Sequence, residues 1–152
     1  MELDTVLEKR HSVRSYTNFA PSDTEMNLVL KAAEMAPSAG GLRARRMIVI
    51  KSPAKRKELA EAALEQDFVA EAPFVIVFCA DMGRIRPYGE RGKELYCVQD
   101  ASAAAENALL KATDLGLGSC WVGAFDEERV RTICGLPDEL RPVAMVTVGY
   151  EK

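Results

Sequence analysis

His11 is the only histidine in the sequence, and its four cysteines, Cys79, Cys97, Cys120 and Cys134, are widely spaced with no Cys-x-x-Cys pair. A zinc centre draws its ligands from close pairs, so no metal ligand is assigned. Three of the cysteines lie inside apolar segments, which suits buried thiols in a reducing cytoplasm; redox catalysis by cysteine is the alternative. No apolar stretch is long enough to cross a bilayer, and Met1-Glu2-Leu3-Asp4 is acidic where a signal peptide would be basic. The expectation is a cytoplasmic protein. Positive charge is not in excess either: 20 basic against 23 acidic residues leave a net charge of -3. Nucleic acid and anionic membranes are therefore not attracted globally, and any anion site must be local. Repeats, low-complexity tracts and linkers are absent.

What is present is enough apolar material for a core, since 48% of the 152 residues are hydrophobic. Residues 1–152 are expected to form one domain. Glu2 to Lys9 reads as a short helix with Leu3, Val6 and Leu7 on one face. Ser22 followed by Glu25 has capping-box spacing and opens a second helix that turns Met26, Val29, Leu30 and Ala33 inward and stops before Pro37. Arg46 to Ile50 reads as a strand covered on both faces. Ser52-Pro53 opens a helix through about Leu64. Phe74 to Cys79 is a continuous β-branched and aromatic run suited to the centre of a sheet. Asp81 to Gly92 reads as a surface loop.

Lys93 to Leu115 is helical in pattern and ends at Gly116. Leu95, Val98, Ser102, Ala105, Leu109 and Ala112 follow a three-four spacing, and Ala101, Ala104 and Ala108 make a neighbouring face apolar too. A helix apolar on more than one face is buried on more than one face. The second cover is either another subunit or the chain's own sheet. Asp126 caps a further helix ending at Gly135, and Pro142 to Gly149 forms a last strand. Four strand candidates among five or six helices specify an α+β or α/β layered domain.

Three segments carry candidate chemistry. Arg10, Ser12 and Arg14 place two guanidinium groups and a hydroxyl within five residues, a set suited to a phosphate monoester; an arginine paired with a surface carboxylate is the alternative. Pro37-Ser38-Ala39-Gly40-Gly41 is a loop of small residues that either serves turn geometry or lets a ligand approach the backbone. Gly116 to Phe125 joins a helix end to an apolar segment closing on Gly123-Ala124, where a planar ligand could lie against exposed N–H groups. Packing is the default role for Trp121 in that segment.

In this order the three segments resemble the FMN-dependent nitroreductase family, and the resemblance spans nearly the whole chain. It implies an α+β fold of three layers, α/β/α, with a mixed, mainly antiparallel central sheet and a long central helix in an intertwined homodimer. It implies that Arg10, Ser12 and Arg14, with His11 between them, contact the phosphate and ribityl chain of FMN. Pro37, Ser38, Ala39, Gly41 and Arg43 would contact the flavin from the partner subunit. Gly41 and Arg43 stand where relatives carry an amide residue and a glutamine, and Arg43 could offset the charge that develops near flavin N1 and O2 on reduction. Val122, Gly123 and Ala124 would present their backbone to flavin N5. Longer relatives continue past a Gly-Tyr like Gly149-Tyr150 to further basic residues, for which only Lys152 could substitute here. The implied activity is hydride transfer from NAD(P)H through FMN to a nitroaromatic, quinone or similar small acceptor, with no catalytic side chain of its own required. The alternatives are a flavin carrier with little turnover and a binder of another phosphorylated ligand on the same fold.

Overall fold

A computed structural model describes all 152 residues. The elements run α1 (Leu3–Lys9), α2 (Asp23–Glu34), β1 (Arg45–Ile50), α3 (Pro53–Ala62), α4 (Phe68–Glu71), β2 (Phe74–Asp81), α5 (Gly89–Arg91), α6 (Cys97–Asp114), β3 (Gly118–Val122), α7 (Glu127–Cys134) and β4 (Leu140–Gly149). Local sequence explains most of the boundaries. Ser22 and Glu25 form both arms of the capping box, the Ser22 hydroxyl accepting the Glu25 N–H and the Glu25 carboxylate accepting the Ser22 N–H. Asp126 accepts the Arg129 N–H at 3.1 Å at the start of α7. At the end of α6, Gly116 has φ of 75°, and the N–H groups of Gly116 and Leu117 bond back to Thr113 and Ala112. That left-handed residue closes the helix in a Schellman turn and releases the chain straight into β3.

The four strands lie in the order β1-β2-β4-β3, and every strand pair is antiparallel. The parallel component is one isolated bridge, Ser12 to Ser119. β2 is buried along almost its whole length, as expected of its apolar run at an internal position. One layer buries Met26 and Val29 of α2 and Ala104, Ala105, Ala108 and Leu109 of α6 against Phe74, Ile76 and Phe78. The opposite layer packs Leu59 of α3, Val69 of α4 and Val130 of α7 against Val75, Val77 and Met145. The result is the three-layer α+β domain. No helix is long and apolar enough to cross a membrane.

Several expectations are refined or corrected. β1 is covered on both faces, Met47 and Val49 packing on the α2/α6 layer and Ile48 and Ile50 on the opposite one, but as an edge strand it leaves Met47, Ile48 and Val49 only partly buried. In α1 only Val6 is buried, with Leu3 and Leu7 exposed, because the helix touches the domain along a single line. α3 ends at Ala62, since Leu64 and Glu65 both take positive φ. The long helix starts with a π turn over Gly92–Tyr96, directly after α5. The 81–92 segment is not wholly a surface loop, because Ile85 is fully buried. Finally, the alanine face of α6 is covered by this chain's own sheet and α2, so it is no evidence of a second subunit.

Candidate functional site

The basic segment follows α1 and runs along the free edge of β3. Arg10 ends α1, its N–H donating to Val6. Ser12 then bridges to Ser119, and the Val13 N–H donates to the Ser119 carbonyl at 2.9 Å. Gly118 permits this approach, since a Cβ there would lie 2.9 Å from Val13 Cγ1. Val13 and Tyr16 are buried, while Ser12 and Arg14 alternate outward as a strand requires. Arg10, Ser12 and Arg14 are near enough to act on the buried Cys120 thiol of β3. Burial raises the thiol's pKa, and Arg14, the Ser12 hydroxyl and Arg10 partly oppose that rise. Neither guanidinium is engaged by a carboxylate: the ion pairs of the chain use Arg86, Arg129, Arg131 and Arg141 instead. The surface ion pair that competed with the ligand reading at this segment does not form.

His11 lies beside this set and is otherwise occupied. Its Nδ1 is 2.9 Å from the Lys9 carbonyl and its Nε2 is 3.1 Å from both oxygens of Glu151. Both ring nitrogens face acceptors, an arrangement that favours the doubly protonated ring and raises its pKa above the ordinary value. The chain end is held here as well, with Thr17 N–H on the Tyr150 carbonyl at 2.9 Å and Lys152 N–H on the Ser15 carbonyl at 3.2 Å. Lys152 therefore sits against the basic segment.

Further along β3, Val122 is buried, whereas Gly123 and Ala124 are exposed and their N–H groups donate to no other backbone group. Trp121 corrects the packing expectation: it is 37% exposed. Cys120 and Val122 point into the α3/α7 layer, which turns Trp121 to the other face at the sheet margin.

The Pro37 to Arg43 loop is elsewhere. It connects α2 to β1, at the opposite edge of the sheet, so two strands separate it from β3, about 14 Å at ordinary strand spacing. Within the loop Ser38 Oγ accepts the Arg43 N–H at 3.0 Å, and Ala39 and Gly41 form a single 3-10 turn. Gly40, Gly41 and Arg43 all have positive φ. Pro37, Gly41 and Arg43 are exposed, with Ser38 and Ala39 half-buried. Thus one chain brings together Arg10, Ser12, Arg14 and the 122–124 backbone, and it keeps Pro37, Ser38, Ala39, Gly41 and Arg43 apart from them.

The deeper clefts of the chain do not enclose either group. One of about 370 Å³ lies among Met82, Arg86, Lys93 and Glu139, and another of about 160 Å³ adjoins His11, Gly116 and Glu151. The candidate residues instead form two open surfaces. Sequence reasoning missed what organises the loop, namely Arg45 and Asp100, the latter reaching backbone partners far away in sequence; the one legible signal was a lone acid, Asp100, beside the small-residue face of α6.

The nitroreductase family profile matches residues 7–66 and 63–150. A Thermus thermophilus protein described as NADH dehydrogenase is 34% identical, with 99% of this chain and 87% of that protein covered. The FMN reductase (NADPH) of Bacillus subtilis is 29% identical over 97% of this chain, which spans only 65% of that enzyme. Among solved structures, an FMN-dependent nitroreductase from Clostridium difficile superposes with a TM-score of 0.85 at 28% identity, covering 97% of this chain and 86% of that one.

Proposed function

This chain belongs to the nitroreductase family, and we propose that it is an FMN-dependent NAD(P)H oxidoreductase acting as a homodimer on a nitroaromatic, quinone or similar small acceptor. The observation that carries this reading is the unpaired Arg10 and Arg14 flanking Ser12 on the free edge of β3. Two permanent charges and a hydroxyl suit a phosphate monoester, and nothing in the chain competes for them. The free N–H groups of Gly123 and Ala124, with no side chain projecting from Gly123, suit the polar edge of a flat ring. The residues present therefore fit FMN.

When bound, FMN supplies the hydride acceptance and donation that no side chain offers. The chain's part is to bind and orient. Arg10, Ser12 and Arg14 would anchor the phosphate, and Val122, Gly123 and Ala124 would offer main-chain donors. Pro37, Ser38, Ala39, Gly41 and Arg43 would complete the site from the second copy, because their own copy holds them at the far sheet edge. Arg43 would add a positive charge near the ring and so favour its reduced, more negative form. No proton donor is required of the protein, consistent with His11 being committed to Glu151.

The test is FMN titration followed by anaerobic NADH and then NADPH. The wild-type chain is expected to retain flavin and bleach with at least one nucleotide. Arg10→Ala or Arg14→Ala should each weaken FMN binding by about tenfold or more, the effect of one lost charge-assisted contact. Arg43→Ala should lower the flavin midpoint potential. Flavin that is held but bleached by neither nucleotide would replace the oxidoreductase with a carrier, and a chain that takes up no flavin would sink the cofactor reading.

A further inference from the structure

Asp100 and Arg45 are the only charged side chains that the fold buries, at 4% and 7% exposed. A charge removed from water is tolerated only where hydrogen bonds replace its hydration. Asp100 is spent on the backbone of one loop, and Arg45 on the backbone that leads into that loop and on the Asp100 carbonyl. Asp100, on α6, accepts the Ala39 N–H at 3.0 Å through one oxygen and the Ala44 N–H at 3.2 Å through the other. One carboxylate thus closes both ends of the 39–44 segment. Arg45, at the start of β1, donates to the carbonyls of Glu34, Ala36 and Pro37 at 3.1, 2.7 and 2.9 Å and to the Asp100 carbonyl at 3.1 Å. Its charge sits at the C-terminal end of α2, where carbonyls are left without helical partners.

Between these anchors the backbone takes positive φ at Gly40, Gly41 and Arg43. Arg43 has φ of 50°, a region side-chain-bearing residues occupy uncommonly and at some cost. Tyr88 lies over Gly40 so closely that a Cβ there would strike its hydroxyl. All of these contacts come from the loop's own chain, and none needs a ligand.

We propose that Asp100, with Arg45 as its support, is a positioning residue for the cofactor: it presets the 37–44 loop so that Ser38, Gly41 and Arg43 meet FMN on the opposite copy without rearrangement. The inference rests on the FMN and homodimer reading above. Asp100→Asn retains size but exchanges one oxygen for a donor, so either Ala39 or Ala44 N–H then faces another N–H.

Asp100→Asn is expected to raise the FMN dissociation constant by about tenfold, to alter the visible circular dichroism of the flavin still bound, and to speed hydrogen exchange at Ala39 and Ala44. In the wild-type chain those two amides should be protected before any FMN is added. A purely structural role would lower the melting temperature and leave the dissociation constant and the flavin dichroism as in wild type, and that result overturns the inference. Should the variant fail to fold, exchange in the wild-type chain decides: protection already present without FMN supports a preset loop, and protection arising only with FMN overturns it. A wild-type chain that binds no FMN is seen in the first titration, and it removes the cofactor reading and this inference together. A wild-type chain that binds FMN beside an equally competent variant removes only the inference.

Discussion

His11 shows how much one side chain can reveal once its neighbours are known. In sequence it was an intervening residue between two arginines; in the fold it ties the basic segment to Glu151 near the chain end. The Lys9 carbonyl and then the Glu151 carboxylate raise its pKa above the ordinary 6.5, while slight desolvation and Arg10 act weakly in the opposite direction. A group whose pKa is higher in the folded state contributes stability that is complete below its unfolded value and fades as pH rises through the folded one. The contact between tail and basic segment should therefore be firm below about pH 6.5 and loosen on the alkaline side. The His11 ring resonances, followed by NMR against pH, should titrate above the ordinary value. Glu151→Gln should bring the midpoint down part of the way, the share due to the Lys9 carbonyl remaining. An unchanged midpoint in that variant would mean that Glu151 does not set the charge of His11.

Elements were legible where their signals are local. The capping box at Ser22 and Glu25, Ser52-Pro53 at the start of α3, and Gly116 and Gly135 after α6 and α7 each act within one turn, and each reads the same in sequence and structure. Ser22→Ala should accordingly cost about 1 kcal/mol and lower the melting temperature by about 2–4 °C, read by thermal unfolding without FMN. A larger fall would show that the Tyr150 hydroxyl, which donates to Glu25 at 2.9 Å, depends on the same cap. The clustering of Arg10, Ser12 and Arg14 was legible too, because they lie within five residues; the phosphate contact proposed for them rests on that clustering and their lack of ion pairs. What sequence could not supply is set by strand order. β1 is only partly buried because it stands at an edge, and Trp121 turned outward because Cys120 and Val122 took the core side of β3. The Asp100 and Arg45 anchors escaped notice because Asp100 reaches Ala39 and Ala44 across 61 and 56 residues. No short motif encodes such a contact.

At the scale of the whole molecule, the sheet order β1-β2-β4-β3 sends the two halves of the candidate site to opposite edges. Within one chain the two groups stand at sheet edges about 14 Å apart, whereas two copies related by a two-fold axis could each lend a loop to the other's basic segment. This arrangement makes a prediction that oligomeric mass alone does not test. One variant, Arg10→Ala with Arg14→Ala, carries a damaged basic segment and an intact loop; the other, Asp100→Asn, carries the reverse. Each alone should bind FMN poorly. If sites are shared, a mixed pair holds one doubly damaged site and one that is wholly intact, so random re-pairing should restore about one quarter of all sites. Flavin retained after unfolding and refolding the two variants together, compared with each refolded alone, measures this directly. Co-refolding without any such gain would overturn the shared site and place both halves on one chain.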